Sequence, residues 1–253
     1  MAALEPWDPT PLLARWRFGK SPTAAGLLVY RHRNAALVAG IRASGPPDMV
    51  WRLWALDEIH PELETWTVGQ GPGRRSPLLN KLYASLPATF DGHVVLSDDD
   101  YVFTRGELAN LLAVAAGADL GLAQPAHDRL SQWSHWLTAG RRLSLLRLTT
   151  FVEIGPVVVV SPSWRHRVLP LADDGMGWGL DLRWQSLRQE GCRLGIVDSC
   201  LIRHLHPVEG NASYDVVALR DEMEEFYEAR GGYLNALQTL ATWRPWQRRL
   251  PQR

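Results

Sequence analysis

Nine residues constrain this chain more than any others: His93-Val94-Val95-Leu96-Ser97-Asp98-Asp99-Asp100-Tyr101. An apolar run of strand character breaks off in three consecutive carboxylates. If the backbone stays extended, Asp98 and Asp100 point to one side and Asp99 to the other, because strand side chains alternate. Two carboxylates on one side repel each other, and a hard divalent cation relieves the repulsion by taking their oxygens as ligands. An acidic surface turn is the plainer reading of any such triplet. The position favours the cation, since ligands of open α/β sheets collect at the ends of buried strands.

The flanking sequence supplies such a sheet. Strands are expected over Ala25 to Tyr30, Met49 to Leu56, Glu64 to Val68, Leu120 to Ala123, Leu146 to Ile154, Val157 to Val160 and Leu194 to Val197. Between them fall expected helices: Ala35 to Ala43, stopped by Ser44-Gly45-Pro46-Pro47; Pro77 to Leu86; and His127 to Leu137. Two more are a helix opened by the capping box Thr104-Arg105-Gly106-Glu107 and one over Leu180 to Glu190. Strands alternating with helices argue for a mostly parallel, helix-covered sheet. Beyond Gly210 the spacing of Val216, Val217, Met223 and Phe226 reads as an amphipathic helix over Ser213 to Arg230, with another after Gly231-Gly232. The expected division is a core domain over 24–209 and a helical extension over 210–253 packed on it.

A hydrophobic content of 46% in 253 residues is enough for one sizeable core. The net charge of zero argues against a nucleic-acid partner held by a broad basic field. Cys192 and Cys200 are too few and wrongly spaced for a disulfide framework or a zinc knuckle, so both read as reduced. The charged, proline-bearing opening of the chain does not resemble a secretory segment, and runs such as Leu111 to Ala116 are too short to span a bilayer. A cytoplasmic protein is expected. Trp243, Arg244, Trp246, Arg248 and Arg249 give the C-terminal tail the means for peripheral contact with an anionic membrane; a solvated, helix-packing tail is the plainer reading.

Three further stretches carry chemistry. Gly69-Gln70-Gly71-Pro72-Gly73-Arg74-Arg75 places glycines, which let backbone approach a ligand, beside arginines that grip phosphate. Gly177-Trp178-Gly179-Leu180-Asp181 sets an indole platform for the apolar face of a sugar ring before a carboxylate at a helix start. That carboxylate is a candidate general base; an Asp cap with a core Trp is the structural alternative. After the last expected strand, His204 and His206 share one side of an extended segment and would suit Mn²⁺.

Taken in order, these stretches resemble the glycosyltransferases of the GT-A fold. More closely, they are similar to a group of bacterial and plant glycosyltransferase-like proteins of uncharacterised activity. That group shares the Asp triplet, a segment like Gln124-Pro125, one like Val152 to Pro156, and the Gly-Trp-Gly-Leu-Asp and Val-Asp-Ser stretches; the likeness runs from Gly26 to Pro207. The resemblance implies an α/β, Rossmann-like mixed, mostly parallel sheet flanked by helices. It also implies Mn²⁺ or Mg²⁺ at Asp98 and Asp100, completed by His204 or His206, under the diphosphate of a nucleotide-sugar, with UDP the default. Asp98, Asp99, Gly69, Arg74, Arg75 and Trp178 would hold the nucleotide-sugar. Asp181 falls where inverting members keep their catalytic base; many of those carry Glu-Asp there, and this chain has Leu180-Asp181.

The expected activity is therefore metal-dependent transfer of a sugar to a hydroxyl acceptor. The alternatives are a metal-dependent hydrolase using the His-x-His and Asp cluster, and a non-catalytic nucleotide-sugar-binding protein of the same fold.

Overall fold

A computed structural model describes residues 18–172, 175–177, 179–206 and 237–247. Ten strands lie in one mixed sheet: β1 (Ala24–Tyr30), β2 (Val50–Ala55), β3 (Thr67–Gln70), β4 (His93–Ser97), β5 (Tyr101–Arg105), β6 (Leu122–His127), β7 (Leu146–Thr149), β8 (Val157–Val160), β9 (Leu194–His204) and β10 (Thr239–Trp243). Their order is β10-β7-β9-β6-β8-β4-β1-β2-β3, with β5 also paired to β9. The strands β3-β2-β1-β4 are parallel, as are β6 and β9, whereas β8, β7, β10 and β5 run antiparallel to their neighbours.

Helices α1 (Ala35–Ala43) and α3 (Leu108–Gly117) pack on one face, and α2 (Arg75–Ala84) and α4 (Leu180–Ser186) on the other. The strands beneath read as nearly continuous apolar runs because both faces are covered. In β4, Val95 enters one core while Val94 and Leu96 enter the other. The chain leaves β1 for β2 and β3, then returns to place β4 on the other side of β1. A crevice opens at such a reversal, at the carboxyl ends of the strands. The Asp triplet sits there.

Several expected elements differ in extent. The capping-box reading of Thr104 to Glu107 does not hold: Tyr101–Arg105 is strand β5, and α3 starts only after Glu107, whose side chain makes no cap bond. The helix expected over His127 to Leu137 is instead the end of β6, a loop and a short 3-10 turn, Trp136–Thr138. Gln124-Pro125 lies within β6 rather than after it. Proline is tolerated there because the pairing of β6 with β8 stops at Ala123, so no ladder bond to β8 is asked of Pro125. Strand β9 continues to His204 through a bulge in which Asp198, Ser199 and Cys200 have no counterpart between Pro125 and Ala126.

The first expected extension helix, over 213–230, lies outside the described residues, and so does most of the second. Within the segment expected to be helical, Thr239–Trp243 is an edge strand on β7. Among the described residues no helix is long and apolar enough to cross a membrane. Cys192 and Cys200 are free and buried, and burial pushes both thiols up to about 12.

Candidate functional site

Strand β4 ends at Ser97, and the triplet turns the chain into β5. The three carboxylates do not simply alternate; each takes a different basic partner. Asp98 Oδ1 accepts from Arg75 Nε at 2.5 Å, while Arg75 Nη2 donates to the Ile154 carbonyl at 3.0 Å. Asp99 crosses the β1–β4 crevice, accepting the Arg31 backbone N–H at 2.7 Å and facing its guanidinium at 3.2 Å. Asp100 Oδ1 lies 3.1 Å from His204 Nε2, a partner 104 positions away in the chain. The β5–β9 ladder fixes that meeting: Tyr101 is opposite His204, and Leu205 N–H donates to the Asp100 carbonyl at 2.9 Å.

The electrostatics of the three acids differ accordingly. Burial raises the Asp99 carboxyl to about 6, against the lowering pull of the Arg31 N–H and charge; the neighbouring Asp100 charge adds to the rise. Burial works to raise Asp100 too, but the hydrogen bond and charge of His204 outweigh it and hold the carboxyl below its usual value. Burial alone would lower His204; its bond to Asp100 raises it instead. His206 is exposed, yet near enough for its charge to act on Asp100, as Asp98 acts on His204.

Asp98, Asp100, His204 and His206 thus share one neighbourhood, with Asp100 and His204 in contact. Among the described residues, however, no three His, Cys, Asp or Glu side chains are gathered closely enough to hold a metal ion. Asp100 and His204 supply one carboxylate oxygen and one imidazole nitrogen, a donor set that suits Mn²⁺. Asp98, 28% exposed and the most open of the three acids, is turned toward Arg75.

The remaining expected residues divide. Arg75 is buried at the start of α2, and Arg74 beside it is exposed. Gly69 lies in β3, and the space its missing side chain leaves is filled by Trp54: a Cβ there would fall 2.2 Å from the indole. Trp178 lies outside the described residues. Its neighbour Gly177, at φ +95°, packs beside Ser76 and Arg75, and the Gly175 carbonyl accepts the Ser76 N–H at 3.0 Å. The loop expected to carry the sugar platform therefore sits against the helix that holds Asp98.

Asp181 lies in the first turn of α4 and is buried. Burial raises its carboxyl to about 7; the Leu182 N–H, donating at 2.9 Å, pulls it down, and the charge of Glu153 pushes it further up. Glu153 was not legible as a site residue. It follows β7 and is buried, its Oε1 accepting the His135 N–H at 3.0 Å and its Oε2 lying 3.2 Å from His127 Nε2. It places a second carboxylate by Asp181, where the helix itself offers only Leu180. His127 Nδ1 meets Ser131 Oγ at 2.6 Å, and Ser131 Oγ accepts the His204 N–H at 2.9 Å. One connected set of polar contacts joins the Asp181 side of the site to Asp100.

The fold is of the GT-A type. A solved structure that the chain matches is that of GalNAc-T7 with UDP, GalNAc and Mn²⁺, at a TM-score of 0.55 and 10% identity, over 77% of this chain and 45% of that one. The chain thus spans less than half of that structure's length. No family model matches the chain, and no curated protein is similar to it in sequence.

Proposed function

We propose that this protein is a metal-dependent glycosyltransferase that moves a sugar from a nucleoside-diphosphate sugar, with UDP as the nucleotide, to a hydroxyl acceptor. The observation that carries the reading is the Asp100–His204 contact at the carboxyl end of β4, within a GT-A fold. Asp100 and His204 would hold Mn²⁺ or Mg²⁺, joined by Asp98 once it leaves Arg75, with His206 in reserve. The bound cation supplies neutralisation of the charge that develops on the departing diphosphate.

The protein's own groups do the rest. Arg75 and Arg74, at the start of α2, offer guanidinium donors to phosphate oxygens. Asp99 holds the Arg31 backbone at the end of β1 and so shapes the crevice wall. Asp181 accepts the acceptor's hydroxyl proton as that oxygen bonds to the anomeric carbon; the bond from that carbon to the diphosphate oxygen breaks, and the diphosphate leaves with the electron pair. A carboxyl near 7 is matched to that task at neutral pH. A base opposite the leaving group gives inversion.

Two measurements test the reading: thermal stabilisation by UDP with Mn²⁺, and Mn²⁺-dependent turnover of a panel of nucleotide-sugars. Turnover that survives Asp100→Asn with its metal dependence intact would refute it.

A further inference from the structure

Large apolar side chains exposed to water are normal when scattered and informative when gathered. Here they are gathered. Of the eight most exposed among the described residues, six lie on two stretches: Leu130, Trp133, Trp136 and Leu143 on the loop between β6 and β7, and Leu240 and Trp246 in and after β10. The two stretches run side by side. β10 pairs with β7, and the Leu145 N–H donates to the Trp243 carbonyl at 2.8 Å, which sets Leu143 close to the segment that carries Arg244 and Trp246.

The charge of this surface is as uneven as its polarity. The chain has 27 acidic residues against 27 basic ones, yet neither 129–143 nor 238–247 contains a single Asp or Glu. The same stretches contain Arg129, Arg141, Arg142 and Arg244, and the three in the loop are exposed. Exposed tryptophan and leucine interleaved with arginine, without acids, match the boundary between lipid headgroups and acyl chains. A saccharide platform would also use tryptophan with an amide beside the ring, as Gln132 stands beside Trp133, but it has no use for aliphatic Leu130, Leu143 and Leu240.

We infer that this arginine–tryptophan surface seats the protein on an anionic lipid bilayer. The surface takes in Arg244 and Trp246 of the C-terminal tail expected to do so from sequence and extends them with the loop between β6 and β7; of the rest of that tail, Trp243 is buried in the core and Arg248 and Arg249 lie outside the described residues. It also borders the candidate site. Trp133 stands between Ser131, which accepts the His204 N–H, and His135, whose N–H donates to Glu153. A bilayer touching Trp133 and Trp136 brings the headgroup region to the rim of the crevice, so an acceptor hydroxyl carried by a lipid would be delivered without leaving the membrane.

The test does not depend on turnover, so it stands or falls apart from the transferase reading. The full chain is floated with vesicles of phosphatidylcholine alone and of phosphatidylcholine with phosphatidylglycerol, at low and high salt. Binding is expected to the second and not the first, weakened by salt, and reduced about five-fold for each arginine removed in Arg141→Ala with Arg142→Ala. Trp133→Ser with Trp136→Ser should abolish it while thermal unfolding stays unchanged. In the unmodified protein, brominated lipid should quench tryptophan fluorescence only in anionic vesicles, which needs no variant to fold. The inference is overturned by absence of binding to anionic vesicles at low salt, or by binding that both variants retain. It is equally overturned by a stable dimer that buries the two tryptophans, or by an uncharged oligosaccharide that quenches them where vesicles do not.

Discussion

Replacing Asp181 by asparagine should make the protein more stable and inactive at once, by an amount that depends on pH in a defined way. The folded carboxyl titrates near 7, against an ordinary value of 3.8, because burial and the Glu153 charge disfavour its ionised form. Between those two values the folded chain keeps a proton that the unfolded chain has released, so stability falls as pH rises, by about 1.4 kcal/mol per unit. Above 7 both states are ionised and the loss levels off at about 4 kcal/mol. Asparagine has nothing to ionise, and its amide oxygen can still accept the Leu182 N–H. The variant's advantage should therefore grow from about 2 kcal/mol at pH 5 to about 4 kcal/mol at pH 8. Urea unfolding of both proteins across that range measures it, and sugar transfer measured alongside should fall by about 10²-fold or more. A stability difference that does not change between pH 5 and 8 would refute the buried, proton-retaining state of Asp181. Transfer that survives would refute its role as base.

UDP with Mn²⁺ at a hundredfold its dissociation constant should raise the melting temperature by about 5–10 °C, and Asp100→Asn or His204→Ala should erase that shift; His204→Ala should also lower the ligand-free melting point, because it leaves the buried Asp100 carboxylate without its partner. Arg147 is wholly buried, donating to both Asp198 oxygens at 2.8 and 2.9 Å and to the Leu137 and Ala139 carbonyls. Arg147→Met strands the Asp198 charge and should cost about 3–5 kcal/mol in chemical unfolding; adding Asp198→Asn should recover part of it. A Cβ on Gly155 would fall 2.8 Å from Asp98 Oδ2, the mobile end of a side chain. Gly155→Ala should thus change stability by less than about 1 kcal/mol yet weaken nucleotide binding in isothermal titration, if Asp98 takes part as proposed.

The parts of this structure legible in sequence were those set by local patterning. The β4 run, the helix over Ala35–Ala43 and its Ser-Gly-Pro-Pro stop follow from apolar periodicity and backbone chemistry alone. The meeting of Asp100 with His204 is not local; the resemblance implied it through the order of motifs, and no contact between them is visible in the sequence. What stayed hidden depends on pairing across the chain. Thr104 to Glu107 has the letters of a capping box, but Tyr101–Arg105 is claimed by β9 as a partner, and sheet hydrogen bonds override local preference. Glu153 looks like any acid after a strand; only the fold brings His127, His135 and Asp181 around it. Arg147 sits among Leu145, Leu146 and Leu148, which announce a buried strand but not a buried arginine, and its partner Asp198 comes to light only once the β9 bulge is known. Gly69 reads as a ligand-loop glycine until Trp54 is seen to occupy its space.

The pairing of β5 with β9 has a consequence for how such a protein can change. Asp100 and His204 belong to adjoining rungs of one ladder, so their separation is held by main-chain bonds and not by the hundred residues that connect them. Loops between α3 and β9, other than the one whose Ser131 hydroxyl accepts the His204 N–H, can lengthen, shorten or be exchanged without moving either side chain, provided the two strands still zip. New substrate preferences can be written into those loops while the acid and the imidazole keep their distance.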